Sequence, residues 1–312
     1  MQALVTGGAG FIGSHLVDTL LERGAEVLVI DDLSTGRREN LASALERGAE
    51  LIEADVTDAA AVSGVIEARR PSAIFHLAAQ IDVRVSVSDP VFDLRVNVGG
   101  TINLLEAARQ ADVGRFVLAS TGGAIYGEGS DRALPLDETA ECIPDAPYGQ
   151  SKYAAEGYLS LYSRLHGLST IALRLGNVYG PRQDPLGEAG VVALFCGALL
   201  EGRTPRVFGD GKQTRDYVYV DDIVEALLAA GDSNAMGKFN VGTGVETSVT
   251  DLGRMIATAC GRPFEPQMAP PRPGEIQRIA IDSSRAASEL GWKAKTNLPD
   301  GLERTAAAFA GD

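Results

Sequence analysis

The sequence predicts an α/β fold: a doubly wound parallel sheet of the Rossmann type with a smaller, interleaved C-terminal lobe. Three observations carry that expectation. Strand-like apolar runs alternate with helically spaced apolar residues through the first half of the chain. Gly7, Gly8, Gly10 and Gly13 stand between the first strand and the first helix. After Leu175 the helical stretches shorten and Gly and Pro become frequent, as in Gly180-Pro181-Arg182 and Pro185-Leu186-Gly187.

The first strand is Ala3-Leu4-Val5, and the first helix runs through Leu16, Leu20 and Leu21 to stop near Gly24. A second strand over 27–30 ends in Asp31 and Asp32. Strand, glycine turn, helix, strand and acid together form a dinucleotide-binding pattern. Gly7 suits the tight turn, Gly10 admits a pyrophosphate near the backbone, and Gly13 lets the helix sit close to the strand. The pyrophosphate would meet the free N–H groups at the helix start. A carboxylate at Asp31 accepts hydrogen bonds from ribose hydroxyls and repels a 2′-phosphate, which favours NAD over NADP. Arg37 and Arg38 leave NADP as the weaker alternative.

Further strands are expected over 50–53, 73–77, 115–120 and 169–175, with helices over 59–69, 92–110 and 148–166. Repeated βα units imply a parallel sheet with right-handed crossovers. Asp55-Val56 follows the third strand, where the carboxylate could reach an adenine amine or could be a surface acid. The second half should hold helices over 191–201, 222–230, 249–260, 284–290 and 301–310. Residues 1–175 are read as the nucleotide-binding part, with a return segment near 217–242 that includes Phe239-Asn240-Val241. Residues 176–312 are read as the substrate-covering lobe.

With 312 residues the chain can bury a sizeable core. No apolar run approaches membrane-spanning length, and the first residues enter strand one without a basic, apolar leader, so neither membrane nor secretory signal is expected. Cys142, Cys196 and Cys260 suit reduced thiols in a cytoplasmic protein. They form no ligand-spaced group with His15, His76 or His166, so no metal is expected. The net charge of −14 argues against nucleic acid. An anionic ligand would need a local group of arginines.

Tyr148-Gly149-Gln150-Ser151-Lys152 opens a helix, and Tyr148 and Lys152, four apart, share one face. An ammonium near the phenol, helped by a positively charged nicotinamide ring, would lower the phenol's pKa toward acid–base use.

Several motifs add to this: Thr6-Gly7-Gly8-Ala9-Gly10-Phe11-Ile12-Gly13, His76-Leu77-Ala78-Ala79-Gln80, Asn97-Val98-Gly99-Gly100-Thr101 and Ser120-Thr121-Gly122-Gly123-Ala124-Ile125-Tyr126-Gly127. The Tyr148/Lys152 pair, Arg215-Asp216-Tyr217-Val218-Tyr219-Val220-Asp221-Asp222 and Arg272-Pro273-Gly274-Glu275 follow. From end to end the chain resembles the extended short-chain dehydrogenase/reductase family, and within it the UDP-hexose 4-epimerases. The resemblance implies NAD contacts from Gly7, Phe11, Ile12, Asp31, Asp55, Val56, Leu77, Ala79, Asn97, Tyr148 and Lys152. It implies that Asn177, Arg215 and Arg272 hold a nucleotide diphosphate, a role suited to arginine's forked donors.

Dehydratases of this family carry an Asp-Glu pair where this chain has Gly122 and Gly123, so loss of water lacks its acids. The hydroxyl usual in the epimerases falls on Gly122, and Thr121 is the nearest replacement. Ile279, seven residues after Arg272, corresponds to a position lining the pocket beside the sugar's C2 substituent, or it packs in the core. Reversible interconversion of UDP-glucose and UDP-galactose through a 4-keto sugar is the implied activity. Epimerisation of UDP-N-acetylhexosamine or UDP-glucuronate, reduction of a keto sugar, and a catalytically silent redox sensor are the alternatives. The resemblance also implies a homodimer built on the 97–110 and 148–166 helices, with Leu104, Leu105, Ala108, Tyr158, Leu161 and Leu165 as interface candidates or core residues.

Overall fold

The computed structural model describes residues 1–185, 190–272 and 275–311. Six strands follow in chain order: β1 (Gln2–Thr6), β2 (Glu26–Asp31), β3 (Glu50–Glu53), β4 (Ala73–His76), β5 (Arg115–Thr121) and β6 (Thr170–Leu175). With the returning strand Gly237–Val241 they form a seven-stranded parallel sheet, ordered returning strand, β6, β5, β4, β1, β2, β3. The order reverses beside β1, which opens a crevice at the carboxyl ends of β1 and β4.

Period-two alternation splits the strand residues between two cores. Ala3, Val5, Val29, Phe75 and Val117 face one side, where helix α1 (Phe11–Glu22) contributes Leu16, Val17 and Leu20 and the Val220–Asp232 helix contributes Ile223 and Leu227. Leu4, Leu28, Ile30, Ile74 and Phe116 face the other, against Val62 and Ile66 of the Ala59–Arg69 helix. Leu104, Leu105 and Ala108 are fully buried in that second core, so they are packing residues and not surface for a partner. Tyr158 and Leu165 remain exposed.

The helical stretch expected over 92–110 is three pieces: Pro90–Leu94, a π-helical turn Arg95–Gly99, and Gly100–Gln110. The wider turn places Asn97 inside the protein, 1% exposed. In the C-terminal lobe, Thr214–Tyr219 is the middle strand of a small sheet with Asn177–Tyr179 and Glu246–Ser248. Of the stretch read as returning near 217–242, only Gly237–Val241 enters the large sheet; Val220–Asp232 packs against α1. Leu186 and Gly187 of the Gly/Pro-rich stretch lie outside the described residues. Among the described residues no helix is long and apolar enough to cross a membrane.

Beneath the crevice lies a buried polar network. Arg174 on β6 is fully buried and bonds both carboxylate oxygens of Glu156, at 2.6 Å from Nη2 and 3.0 Å from Nε. Ser120 donates to the same carboxylate at 2.6 Å, and Arg174 Nη1 reaches the Tyr126 hydroxyl, which donates to Asn240. Removing one partner of such a pair strands a charge in the core, at a cost of about 3–5 kcal/mol. Glu156→Leu should lose that much unfolding free energy in urea titration; a loss below about 1 kcal/mol, the scale of exposed pairs, would contradict the burial described here.

Candidate active site

The turn between β1 and α1 is closed to side chains. Gly7 has φ +70°, and a Cβ there would lie 2.6 Å from the Ala78 nitrogen. A Cβ on Gly13 would lie 2.1 Å from the Gly7 carbonyl oxygen, and one on Gly10 3.2 Å from it. Gly10 is the N-cap of α1 and offers no side-chain cap, and the first turn holds no acid. The N–H groups of that turn therefore face outward as anion donors. Phe11 and Ile12 are half-buried beside them.

Asp31 ends β2 at 6% exposure, accepting from the Ala9 and Leu33 N–H groups at 2.9 Å each. Burial pushes its pKa up against those two bonds. A Cβ on Gly36 would lie 2.7 Å from the Asp31 carboxylate, so the following loop passes directly over it. Arg37 and Arg38 each face an acid, Asp184 at 2.8 Å and Glu53 at 3.5 Å. Asp55 is exposed and binds the Thr57 N–H, while Val56 is buried against Gly100. Leu77 and Ala79 lie half-buried on the loop after β4. The glycine turn, the β2 acid and the loop after β4 thus meet at the crevice, where the uncapped start of α1 offers N–H donors to an anion.

Behind this crevice runs a neutral relay. The Thr101 hydroxyl donates to the Asn97 carbonyl at 2.6 Å, so it accepts from His76 Nε2 at 3.0 Å. His76 Nδ1 then accepts from the Thr6 hydroxyl at 2.7 Å, and Thr6 accepts from the Ala78 N–H. Burial is the main reason His76 is pushed down to about 3, with Lys152 adding to it.

Thr121, the last residue of β5, lies beside the Tyr148 phenol and acts to lower its pKa. Lys152, 3% exposed, donates to the Ala119 carbonyl at 3.1 Å. In the chain by itself, burial is the largest influence on both members of the pair expected to share a proton. Burial pushes Tyr148 up to about 12, reinforced by Asp93 and opposed by the Thr121 bond. Burial pulls Lys152 down to about 8 against the raising effect of Asp93 and Glu156. Desolvation disfavours the charged form of each and is the largest influence on both.

Gly122 and Gly123 begin a short helical turn directly after Thr121. A Cβ on Gly122 would lie 2.5 Å from Ile281 Cδ1, and one on Gly123 would lie 3.3 Å from Asn177 Oδ1. Ile281 therefore fills the space a side chain at 122 would need. Ile279, 2% exposed, packs in an apolar cluster with Ile125, Tyr126, Leu136 and Ile281, which makes it a core residue and corrects the expectation of a pocket wall.

Arg215 donates to the Thr214 carbonyl and lies 3.8 Å from Glu275, whose N–H in turn donates to the Arg272 carbonyl at 3.3 Å. The Arg272 guanidinium stacks 3.9 Å over the Phe208 ring. Pro273 and Gly274 lie outside the described residues.

Sequence reasoning missed Asp93, Gln80 and Ile281, and also Tyr217, whose buried hydroxyl has no hydrogen-bond partner among the described residues. Only Asp93 left a signal, an acid one helical turn before Asn97. Among the described residues no group of His, Cys, Asp and Glu could hold a metal.

A model of the NAD dependent epimerase/dehydratase family matches residues 3–242. A UDP-glucose 4-epimerase of Mycolicibacterium smegmatis is 50% identical, covering 99% of this chain and 98% of that protein. The crystal structure of UDP-glucose 4-epimerase with UDP-glucose from Thermotoga maritima superposes with TM-score 0.96 at 45% identity, over 99% of this chain and 98% of that one. The Thermus thermophilus UDP-glucose 4-epimerase in complex with NAD gives 0.94 at 45% identity, over 100% and 99%.

The His76 relay supplies a test of the site's dryness. The folded pKa, about 3, lies below the ordinary 6.5. Neutral His76 therefore contributes its full stability above pH 6.5 and loses it as pH falls toward 3, by up to about 1.4 kcal/mol per pH unit. His76→Gln keeps a donor and an acceptor but does not titrate. The wild-type stability advantage over this variant should shrink between pH 7 and 5 in urea titrations; an advantage independent of pH would contradict a buried neutral imidazole.

Proposed function

The chain belongs to the NAD-dependent epimerase/dehydratase family, and on that premise we propose that it interconverts UDP-glucose and UDP-galactose by reversible epimerisation at C4, with NAD as cofactor. The observation that carries the reading is the Tyr148 phenol beside Thr121 at the end of β5, next to a Gly122-Gly123 turn that holds no acid. The glycine cradle and the uncapped start of α1 fit the cofactor's pyrophosphate, and Asp31 its adenosine ribose. When bound, NAD supplies a reversible two-electron acceptor for the sugar carbon.

The chain's own residues handle the proton and the positioning. Tyr148 takes the proton of the 4-hydroxyl and later returns it. Thr121 holds the phenol in line and presents a second hydroxyl to the sugar oxygen. Because burial pushes the phenol up, its ionisation near neutral pH needs positive charge close by, and Lys152 carries one in the same dry site. Asn177, Arg215 and Arg272 hold the diphosphate, so the sugar can turn about its link to it. With Ile281 packed against Gly122, no acid and base stand ready to expel water, and the keto sugar is reduced again without elimination.

Val87, Val91 and Leu94 are exposed at 63%, 74% and 57%, and Leu165 at 66%. Together with Tyr158 they support a homodimer formed through the Val83–Ser88, Pro90–Leu94 and Pro147–His166 helices. The free cysteines support a reducing, cytoplasmic setting.

Purified protein with NAD should convert UDP-galactose to UDP-glucose, followed by chromatography of the nucleotide sugars, and absence of that product would refute the proposal. Tyr148→Phe should lower kcat by at least about 10²-fold with the fold intact by circular dichroism. Light scattering at micromolar concentration should return twice the 32.7 kDa chain mass, and a monomer mass would remove the dimer.

A further inference from the structure

Asp93 is completely buried, in the short helix Pro90–Leu94 that packs on the Pro147–His166 helix. Three donors converge on its carboxylate. Oδ1 accepts from Gln80 Nε2 at 3.0 Å and from Asn97 Nδ2 at 3.1 Å, and Oδ2 accepts from the Ser151 hydroxyl at 2.5 Å. Ser151 is the residue before Lys152 and three after Tyr148. Gln80 is tied to Asn97 twice more: its N–H donates to Asn97 Oδ1, and its carbonyl accepts from Asn97 Nδ2, both at 2.9 Å. One carboxylate thus joins the loop after β4, the π-helical turn and the first turn of the helix that bears Tyr148 and Lys152.

Charge accounting around Lys152 gives Asp93 a second task. The ammonium donates to the Ala119 carbonyl from β5, while Asp93 from the Pro90–Leu94 helix, Glu156 from its own helix and His76 from β4 are the charged and titratable groups whose fields reach it. Burial keeps His76 neutral. Glu156 is engaged on both oxygens by Arg174. The negative charge left to balance Lys152 is that of Asp93. The field of Asp93 reaches Tyr148 as well, where it favours the protonated phenol.

We propose that Asp93 is a positioning residue for the epimerisation: through Ser151 it fixes the first turn of the helix carrying Tyr148 and Lys152, and it supplies the counter-charge to the Lys152 ammonium. This rests on the reading of Tyr148 and Lys152 as the acid–base pair. In a water-excluded site a single carboxylate at this place acts strongly on both groups. It favours the protonated form of Lys152 and of Tyr148 alike, so its loss moves both titrations to lower pH.

Asp93→Asn isolates the charge. The amide oxygen can still receive Gln80 and Asn97 while its NH2 donates to Ser151, which keeps all three bonds with one reversed. Ser151→Ala isolates the tether and leaves the charge in place. The pH dependence of kcat for UDP-galactose is measured for wild type and both variants. In parallel, the lysine ¹³Cε resonances are titrated by NMR without substrate, with Lys152 assigned through Lys152→Met.

Asp93→Asn should shift both limbs of the kcat profile, and the Lys152 resonance, about 1 unit to lower pH, which is about tenfold in kcat on the alkaline side. Ser151→Ala should leave the limbs in place and lower kcat about tenfold at every pH, with KM unchanged. An Asp93→Asn profile that scales onto wild type, or an unmoved Lys152 resonance, overturns the counter-charge role. Wild-type kcat in Ser151→Ala overturns the tether, and that variant carries the test alone should Asp93→Asn not fold. Failure of the underlying reading looks different: wild type would not convert UDP-galactose, or Tyr148→Phe would match it, while the NMR titration would still report on Asp93.

Discussion

The approach of α1 to β1 is the constraint on which the rest of the molecule depends. A single Cβ on Gly13 would stand 2.1 Å from the Gly7 carbonyl oxygen, so the helix can start there only if that position has no side chain. Gly7 in turn lies under the backbone of Ala78, which draws the loop after β4 over the same turn. These contacts close the base of the crevice and aim the uncapped start of α1 into it. The same loop leads from Ala78 to Gln80, and from there through Asn97 and Asp93 to the helix of Tyr148 and Lys152. The glycine turn and the Tyr148–Lys152 helix are thereby parts of one hydrogen-bonded frame.

The interior of that frame is buried at His76, Asp93, Asn97 and Lys152, with Tyr148 half-buried at its edge, and that burial sets the charges. Desolvation raises the Tyr148 phenol and lowers the Lys152 ammonium, so neither group is ready for its role by location alone. Each depends on charges held around it. Arg174 and Glu156 neutralise one another below the site, which leaves Asp93 facing Lys152. His76 lies close as well, yet burial keeps it uncharged, so its relay adds rigidity without competing charge.

Much of this was legible in the residues, and what escaped has physical causes. The large sheet announced itself because strands buried on both faces read as continuous apolar runs, and the glycine turn because only glycine fits it. The three-residue strands of the C-terminal lobe are shorter than any periodicity can register. The π-helical turn at Arg95–Gly99 leaves the apolar spacing of its flanks almost unchanged, so the stretch reads as one helix. Leu104, Leu105 and Ala108 have the spacing of a buried face, and sequence cannot say whether sheet or partner buries it. Ile279 and Ile281 share one side of an extended segment, so pattern alone could not show that Ile281 is the one against Gly122. The phenol's raised pKa depends on how many atoms surround it, a property of the fold and not of a tyrosine–lysine spacing.

The most direct test of a C4 oxidation and return within one enclosed site uses UDP-galactose carrying deuterium at C4, converted with NAD in ordinary water. NMR and mass spectrometry of the UDP-glucose formed would locate the label. The account predicts that the product keeps deuterium at C4, because the hydrogen leaves and returns without meeting solvent. Deuterium lost to water would contradict it, since C4 would then have exchanged its hydrogen as a proton.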